Sequence, residues 1–292
     1  MSDAVTLELV NSVIGKAQPP IEYTFNKRDT VIYALGIGAP ADPLAQDELK
    51  FVYELHADFC ALPTMPVVYS GRLIEDIVRG DIHGIKFNPM MLVHGEQALE
   101  IKAPLPVEGT IICTPTIRNI FDKGSGMVIE TEVSCVDQAG TEVAITTSAM
   151  FIRGLGGFGG ERGSSEKIAM PERTPDAVHE EATLPQQALI YRLSGDINPL
   201  HADPDMAKIG NFDKPILHGL STYGFAGRAV LKHFADNDPS RFKSMKGRFS
   251  REVYPGDTLI TEMWQTDDGV LFQTTTKERD VTVLSGGQIV IE

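Results

Sequence analysis

The stretch YRLSGDINPLH, residues 191–201, sets Asp196 and His201 five positions apart, with Asn198 between them and Gly195 and Pro199 as breakers. Upstream, Ala188, Leu189, Tyr191, Arg192 and Leu193 fall at near-helical spacing, so a helix is expected to end at Gly195 and the Asn-Pro step to open a turn. A loop held against a helix end can aim a carboxylate and an imidazole into one cavity. Such a pair can exchange a proton near neutral pH, as general acid–base chemistry requires. The same residues also read as a helix-stop aspartate and a surface histidine, and the spacing alone supports both.

Outward from this stretch the chain repeats itself. YTFNKRDTVIYALGIGAPADP, from Tyr23, carries a short apolar run, Thr30 to Leu35, closed by Gly36 and Gly38. Tyr33 matches Tyr191 and Leu35 matches Leu193, so Gly38 falls where Asp196 stands and the first half keeps the scaffold without the chemistry. Further on, NPMMLVHGEQALEI parallels KPILHGLSTYGF through His94-Gly95 and His218-Gly219. PLPVEGTIICTPTIRNIFDKGSGMVIETEVSCVDQAGTEVAITTSAMFIRG alternates apolar and polar residues around DKGSG and QAGTE, as three antiparallel strands would. REVYPGDTLITEMWQTDDGVLFQTTTKERDVTVLSGGQIVIE answers it in the second half.

LSTYGFAGRAVLKHF is the expected central helix, with Ser221 or Thr222 as its cap, and Gly224 and Gly227 imply close approach of the sheet or a ligand. The first-half counterpart meets Pro104 and Pro106 at once, so its central helix is expected to be truncated or absent. The freed volume is expected to form a tunnel lined by Met90, Met91, Leu92 and Leu99. The boundaries are a first domain at 1–153, a Gly- and Pro-rich linker at 154–183 and a second domain at 184–292. The linker glycines could cradle a phosphate, but no G-x-G-x-x-G follows a strand, and a wrapping connector fits better.

A net charge of −14 argues against a nucleic-acid or anionic-membrane partner, and no apolar run approaches a membrane span. Cys60, Cys113 and Cys135 make neither a disulfide framework nor a metal motif. His201 and His218 lie seventeen residues apart without a further ligand cluster, so no metal is expected. No G-x-S-x-G elbow supports a serine nucleophile. The N-terminus has no signal-peptide pattern and the C-terminus, GGQIVIE, no S-K-L-type address.

The run YRLSGDINPLH…DKPILHGLSTYGFA closely resembles the signature of the enoyl-CoA hydratase 2 (R-specific, MaoC-like) family, and the flanking sequence resembles it over nearly the full length. The resemblance implies an α+β tandem (double) hot-dog fold and a hydro-lyase. Its reaction would be reversible syn addition of water to trans-2-enoyl-CoA, giving (3R)-3-hydroxyacyl-CoA, on medium to long chains in fatty-acid β-oxidation. The alternatives are a (3R)-3-hydroxyacyl thioester dehydratase of fatty-acid elongation and a hot-dog thioester-binding protein or thioesterase. It assigns Asp196 and His201 to hold and activate water, Asn198 to position it, and the Gly219 N–H, at a helix N-terminus, to the oxyanion.

It also places Phe249, His94, Gly95 and Lys123 at the substrate. Lys246 and Arg248, within FKSMKGRFSREVYPGD, read either as contacts for the CoA phosphates or as a solvated strand face. The His218 side chain is expected to pack and to bond backbone. No cofactor is implied beyond the acyl-CoA substrate, and a homodimer is an expectation. The location would be cytoplasmic in a bacterium and peroxisomal in a eukaryote.

Overall fold

A computed structural model describes residues 5–70, 76, 77, 79–82, 84–164 and 168–292. Residues 165–167, which fall in the expected linker, lie outside the described residues, as do 1–4, 71–75, 78 and 83. The strands, in chain order, are β1 (Ile21–Phe25), β2 (Asp81–Ile82), β3 (Ile85–Lys86), β4 (Leu92–Ile101), β5 (Gly109–Asp122), β6 (Gly126–Asp137), β7 (Glu142–Arg153), β8 (Ala177–Ala182), β9 (Phe242–Phe249), β10 (Thr258–Thr266), β11 (Gly269–Thr276) and β12 (Val281–Ile291). All but the β2–β3 hairpin join one ten-stranded sheet in the order β1-β5-β6-β7-β4-β9-β12-β11-β10-β8. Alternation explains the sheet: in β11 Val270, Phe272, Thr274 and Thr276 are buried while the residues between them are only partly covered.

The two halves meet where β4 pairs antiparallel with β9, Glu96 opposite Arg248 and Glu100 opposite Ser244. This double hot-dog arrangement is the one the sequence implied, with two corrections. First, LVHGEQALEI is a strand and not a cut-short helix, so it answers β9 and not the start of the central helix. Glu, Gln, Ala and Leu favour helix intrinsically, but pairing with β7 on one side and β9 on the other overrides that preference. Second, Ala177–Ala182, assigned to the linker from sequence, is strand β8, paired with β10 from Thr258 to Met263.

The central helix runs Gly219–Phe234, and every residue from Leu220 to Leu231 is buried. It starts at Gly219 without a side-chain cap; Ser221 instead donates to the Gly36 carbonyl at 2.8 Å, so neither Ser221 nor Thr222 caps it. Its glycines admit the first half's chain rather than a ligand. A Cβ on Gly224 would stand 2.4 Å from Ile37 Cγ2, and one on Gly227 2.7 Å from Thr64 Cγ2.

The first half has no matching long helix among the described residues. Its segment from Ile37 to Tyr69 forms only 3-10 turns at Leu49–Phe51 and Met65–Val68, and it fills the vacated space itself. Phe51, Leu62, Met65, Val68 and Tyr69 are all core residues. The expected tunnel lining therefore does not converge: Leu99 is buried in that core, whereas Met91 is 40% exposed. An empty apolar void would be costly, and collapse of the segment removes it.

Two short helices, one from each half, pack against each other. Lys27–Gly36 opens with a capping box between Asn26 and Asp29. Gln187–Tyr191 continues as a 3-10 turn to Ser194 and stops at Gly195, whose φ of 116° an L side chain rarely adopts. Gly36 lets them touch, since a Cβ there would lie 3.1 Å from the Tyr191 Cα. Gln187 Nε2 locks the contact by donating to the Leu35 and Gly36 carbonyls at 2.8 and 2.9 Å.

The glycine-rich connector folds back on the β5–β6 turn. Its cradle is occupied from within, because the Asp122 carboxylate accepts N–H groups of Gly124, Gly157 and Gly159 at 2.8 to 2.9 Å. Those amides hold the Asp122 carboxyl down to about 2.

Candidate active site

The loop after Gly195 is built from local turns. The Asn198 N–H donates to Asp196 Oδ1 at 3.1 Å, and Asn198 Oδ1 accepts the Leu200 N–H at 3.1 Å, capping the Pro199–His201 turn. Asn198 thus shapes the loop that carries both Asp196 and His201. The His201 ring is fixed by its Nδ1, 2.9 Å from the Ile216 carbonyl. A carbonyl only accepts, so Nδ1 carries the proton and Nε2 is left with a free lone pair.

His218 closes the cluster. Its Nε2 lies 3.3 Å from the Asp196 carbonyl, and its ring stacks on His201 at 3.8 Å and 28°. The Tyr191 ring packs against it, tilted, at 4.9 Å. Donor atoms of Asp196, His201 and His218 lie within 4.8 Å of one another, a set that could be taken for a metal site. The stack argues otherwise: an imidazole binds a metal in its own plane, and rings stacked face to face at 3.8 Å do not converge on one ion.

Burial pushes the Asp196 carboxyl above its ordinary range, against the pull of His201, the Asn198 amide and Arg192. Burial likewise lowers His201, against the opposing effect of Asp196 and the Ile216 bond, and holds His218 well below its usual value. Opposed shifts on adjacent groups favour a protonated acid beside a neutral base.

Gly219 follows His218 as the first residue of the central helix. Its N–H has no acceptor among the described residues, as befits a first-turn amide. The Phe249 ring covers it, with ring carbons 3.1 Å from where a Cβ would stand. His94, on β4, packs against the same ring 4.8 Å away, its Nε2 3.1 Å from the Glu96 carbonyl. Gly95 sits at the register shift between His94 and Glu96. Asp196, His201, Gly219, Phe249 and His94 therefore form one connected cluster that spans both halves. An apolar wall packs beside the loop that carries His201, where a Cβ on Gly210 would meet Leu200, Phe212 and the Met90 methyl at 3.1 to 3.2 Å.

Three expected residues are not brought to the pair. Lys246 and Arg248 alternate on β9 with the buried Met245 and Gly247, so they face away from the central helix. Arg248 is taken by Glu96 at 2.6 Å. Lys123 lies on the β5–β6 turn, its ammonium on the Arg162 and Gly163 carbonyls and 5.2 Å from the centre of the Phe121 ring. Sequence reasoning undervalued His218 and Tyr191. The repeated Tyr33 and Tyr191 were a signal for the second, but nothing local signals the His201–His218 stack.

Fold and site together define a double hot-dog protein of the MaoC-like hydratase and dehydratase class. Residues 23–154 match the family described as "MFE-2 hydratase 2 N-terminal domain", and residues 166–286 the "MaoC like domain". The chain is 48% identical over 288 residues to the probable enoyl-CoA hydratase 2 of Dictyostelium discoideum, across 97% of this chain and 96% of that one. It is 42% identical over 285 residues to the peroxisomal enoyl-CoA hydratase 2 of Arabidopsis thaliana, across 92% and 91%. The crystal structure of a MaoC-like dehydratase from Phytophthora capsici superposes with a TM-score of 0.84 at 39% identity, across 97% of both chains. The chain belongs to the enoyl-CoA hydratase 2 family.

Proposed function

We propose that this protein is a hydro-lyase that adds water reversibly to trans-2-enoyl-CoA, giving (3R)-3-hydroxyacyl-CoA. The observation that carries the reading is the pair of a half-buried Asp196 and a buried His201 beside an unclaimed helix N-terminal amide. Water sits between the Asp196 carboxyl and His201 Nε2. His201 takes a proton as the water oxygen bonds C3, the Gly219 N–H receives the charge that develops on the thioester oxygen, and Asp196 delivers its proton to C2. Transfer from His201 back to Asp196 resets the pair. Oxygen and hydrogen both arrive from the side where the pair lies, which gives syn addition. Run backwards, the same steps dehydrate a 3-hydroxyacyl thioester.

Phe249, His94 and Gly95 border the thioester in this proposal, and the wall of Met90, Leu200 and Phe212 supports a medium to long acyl chain. Lys123 would reach the CoA portion only by leaving the connector carbonyls. The name of the Arabidopsis relative supports a peroxisomal setting, and no helix of the described residues is long and apolar enough to cross a membrane. Leu184, Leu189 and Leu193, all exposed within one ten-residue stretch, support pairing of two copies, which gel filtration would read. No cofactor enters the steps.

The test is incubation with crotonyl-CoA and a ten-carbon enoyl-CoA, following loss of the enoyl absorbance and the chirality of the product. A 3R product, formed faster from the longer substrate, is expected. Free CoA released with the double bond intact, or a 3S product, would overturn the proposal.

A further inference from the structure

We propose that His218 is a positioning residue for the hydration step, a neutral imidazole that ties the Asp196 loop to the mouth of the central helix and holds the His201 ring in register. The proposal rests on the hydratase reading only for which reaction is served. The helix does not need His218 as a cap, since its side chain accepts none of the first-turn amides. What it does is bond the backbone carbonyl of Asp196 through Nε2, which must therefore carry the proton. Nδ1 is then a bare lone pair, and it has no partner although the residue is 1% exposed. An unpaired buried acceptor is unfavourable, and a leucine or phenylalanine would fill the same volume without it. A polar group kept at such a cost beside reacting groups fits a role in function better than one in packing.

The geometry shows what the role is. His201 is held at its Nδ1 edge by Ile216 and across its face by His218 at 3.8 Å, so it cannot swing Nε2 away from Asp196. Tyr191 backs His218 in turn. The charged and titratable groups around His218 are Asp196, Arg192, His201 and Tyr191. A proton on Nδ1 would put a second cation against His201 at the moment His201 is itself protonated. Only the neutral ring can serve.

Two measurements test this. Nitrogen NMR of the imidazoles in the substrate-free protein should show His218 as the neutral Nε2–H tautomer from pH 6 to pH 9. An Nδ1–H tautomer, or titration above pH 6, would overturn the proposal without touching the reaction assigned. In kinetics, His218→Ala should lower kcat on the order of 100-fold, the scale set by misplacing a reacting group by about 1 Å. KM should stay within about twofold. His218→Gln, whose carboxamide nitrogen can reach the place of Nε2, should recover at least about tenfold of that loss. A kcat for the Ala variant within about twofold of the parent, or a Gln variant no better than Ala, would overturn it. Should the Ala variant fail to fold, the tautomer decides alone. Should the parent not hydrate enoyl-CoA at all, the reaction assignment fails while the tautomer is still read.

Discussion

Replacing Arg228 with methionine should cost the protein about 3 kcal/mol. Arg228 lies on the central helix with 6% of its side chain exposed, and it donates to the Ile37 carbonyl at 2.8 Å, to Glu181 at 3.0 Å and to Glu48 at 3.0 Å. Methionine keeps the stem and most of the volume but strands two buried carboxylates. Removing one partner of a buried pair costs ~3–5 kcal/mol. Lys232 still reaches Glu48 and His179 still reaches Glu181, which points to the lower end. At ~2–4 °C per kcal/mol for chains of about this size, the melting temperature should fall by roughly 6–12 °C.

The pH dependence has a definite sign. Burial alone would raise the Glu48 carboxyl; Arg228, the Ala41 amide and Lys232 overcome it and hold the group low. In the parent, Glu48 therefore adds stability that is lost only as pH falls through its depressed value. Without Arg228 burial prevails, Glu48 takes up a proton more readily, and the deficit should be smaller at pH 5 than at pH 7.5. Adding Glu48→Gln should recover part of the loss. Melting followed by circular dichroism at both pH values reads all three effects. A fall under about 2 °C, or a double variant less stable than the single one, would refute the reasoning.

Asp196→Ala and His201→Ala should each remove most activity with the melting temperature little changed. If the two share one proton-transfer task, the double variant should be scarcely slower than either; multiplying losses in kcat would separate them. Gly38→Asp should not arm the first half. Its Cβ would stand 2.3 Å from the Phe225 ring and 2.6 Å from the Glu181 carboxylate at a φ of 84°, so a loss of at least ~2 kcal/mol is expected, with no turnover in a His201→Ala background. Burial lowers His94 to about 4, so the stability tied to its neutral ring is full above ~6.5 and drains as pH falls toward 4. His94→Phe should flatten the melting-temperature profile across that interval, and an unchanged slope would count against it.

The catalytic loop was legible because its information is local. Gly195 ends the helix, Asn198 and Pro199 make the turn, and Asp196 and His201 follow from five residues of chain. The pairing of Tyr33 with Tyr191 was legible as a repeat, and their rings do meet, 6.1 Å apart. What sequence misread was decided by distant partners. LVHGEQALEI carries helix-forming residues, and only β7 and β9 make it a strand. Lys246 and Arg248 read equally as phosphate contacts or as a solvated strand face, a choice that depends on which face of β9 each takes, and alternation sets both opposite the face that holds Phe249. Gly224 suggested close approach of the sheet or a ligand, and it is Ile37 of the first half that comes close.

The β4–β9 seam also bears on how such a chain can be cut. Five residue pairs of backbone register, with the Arg228 network above them, join the halves independently of the connector. The peptide link supplies proximity, since it raises the concentration of each half around the other. A nick between Arg173 and Thr174 leaves Arg173 still held by Asp176 and by the Gln265 carbonyl, so the new end stays on the surface where it was. The molecule is in this sense a heterodimer whose two subunits happen to be translated as one, and the asymmetry between its armed and unarmed halves requires two different sequences but not one continuous backbone.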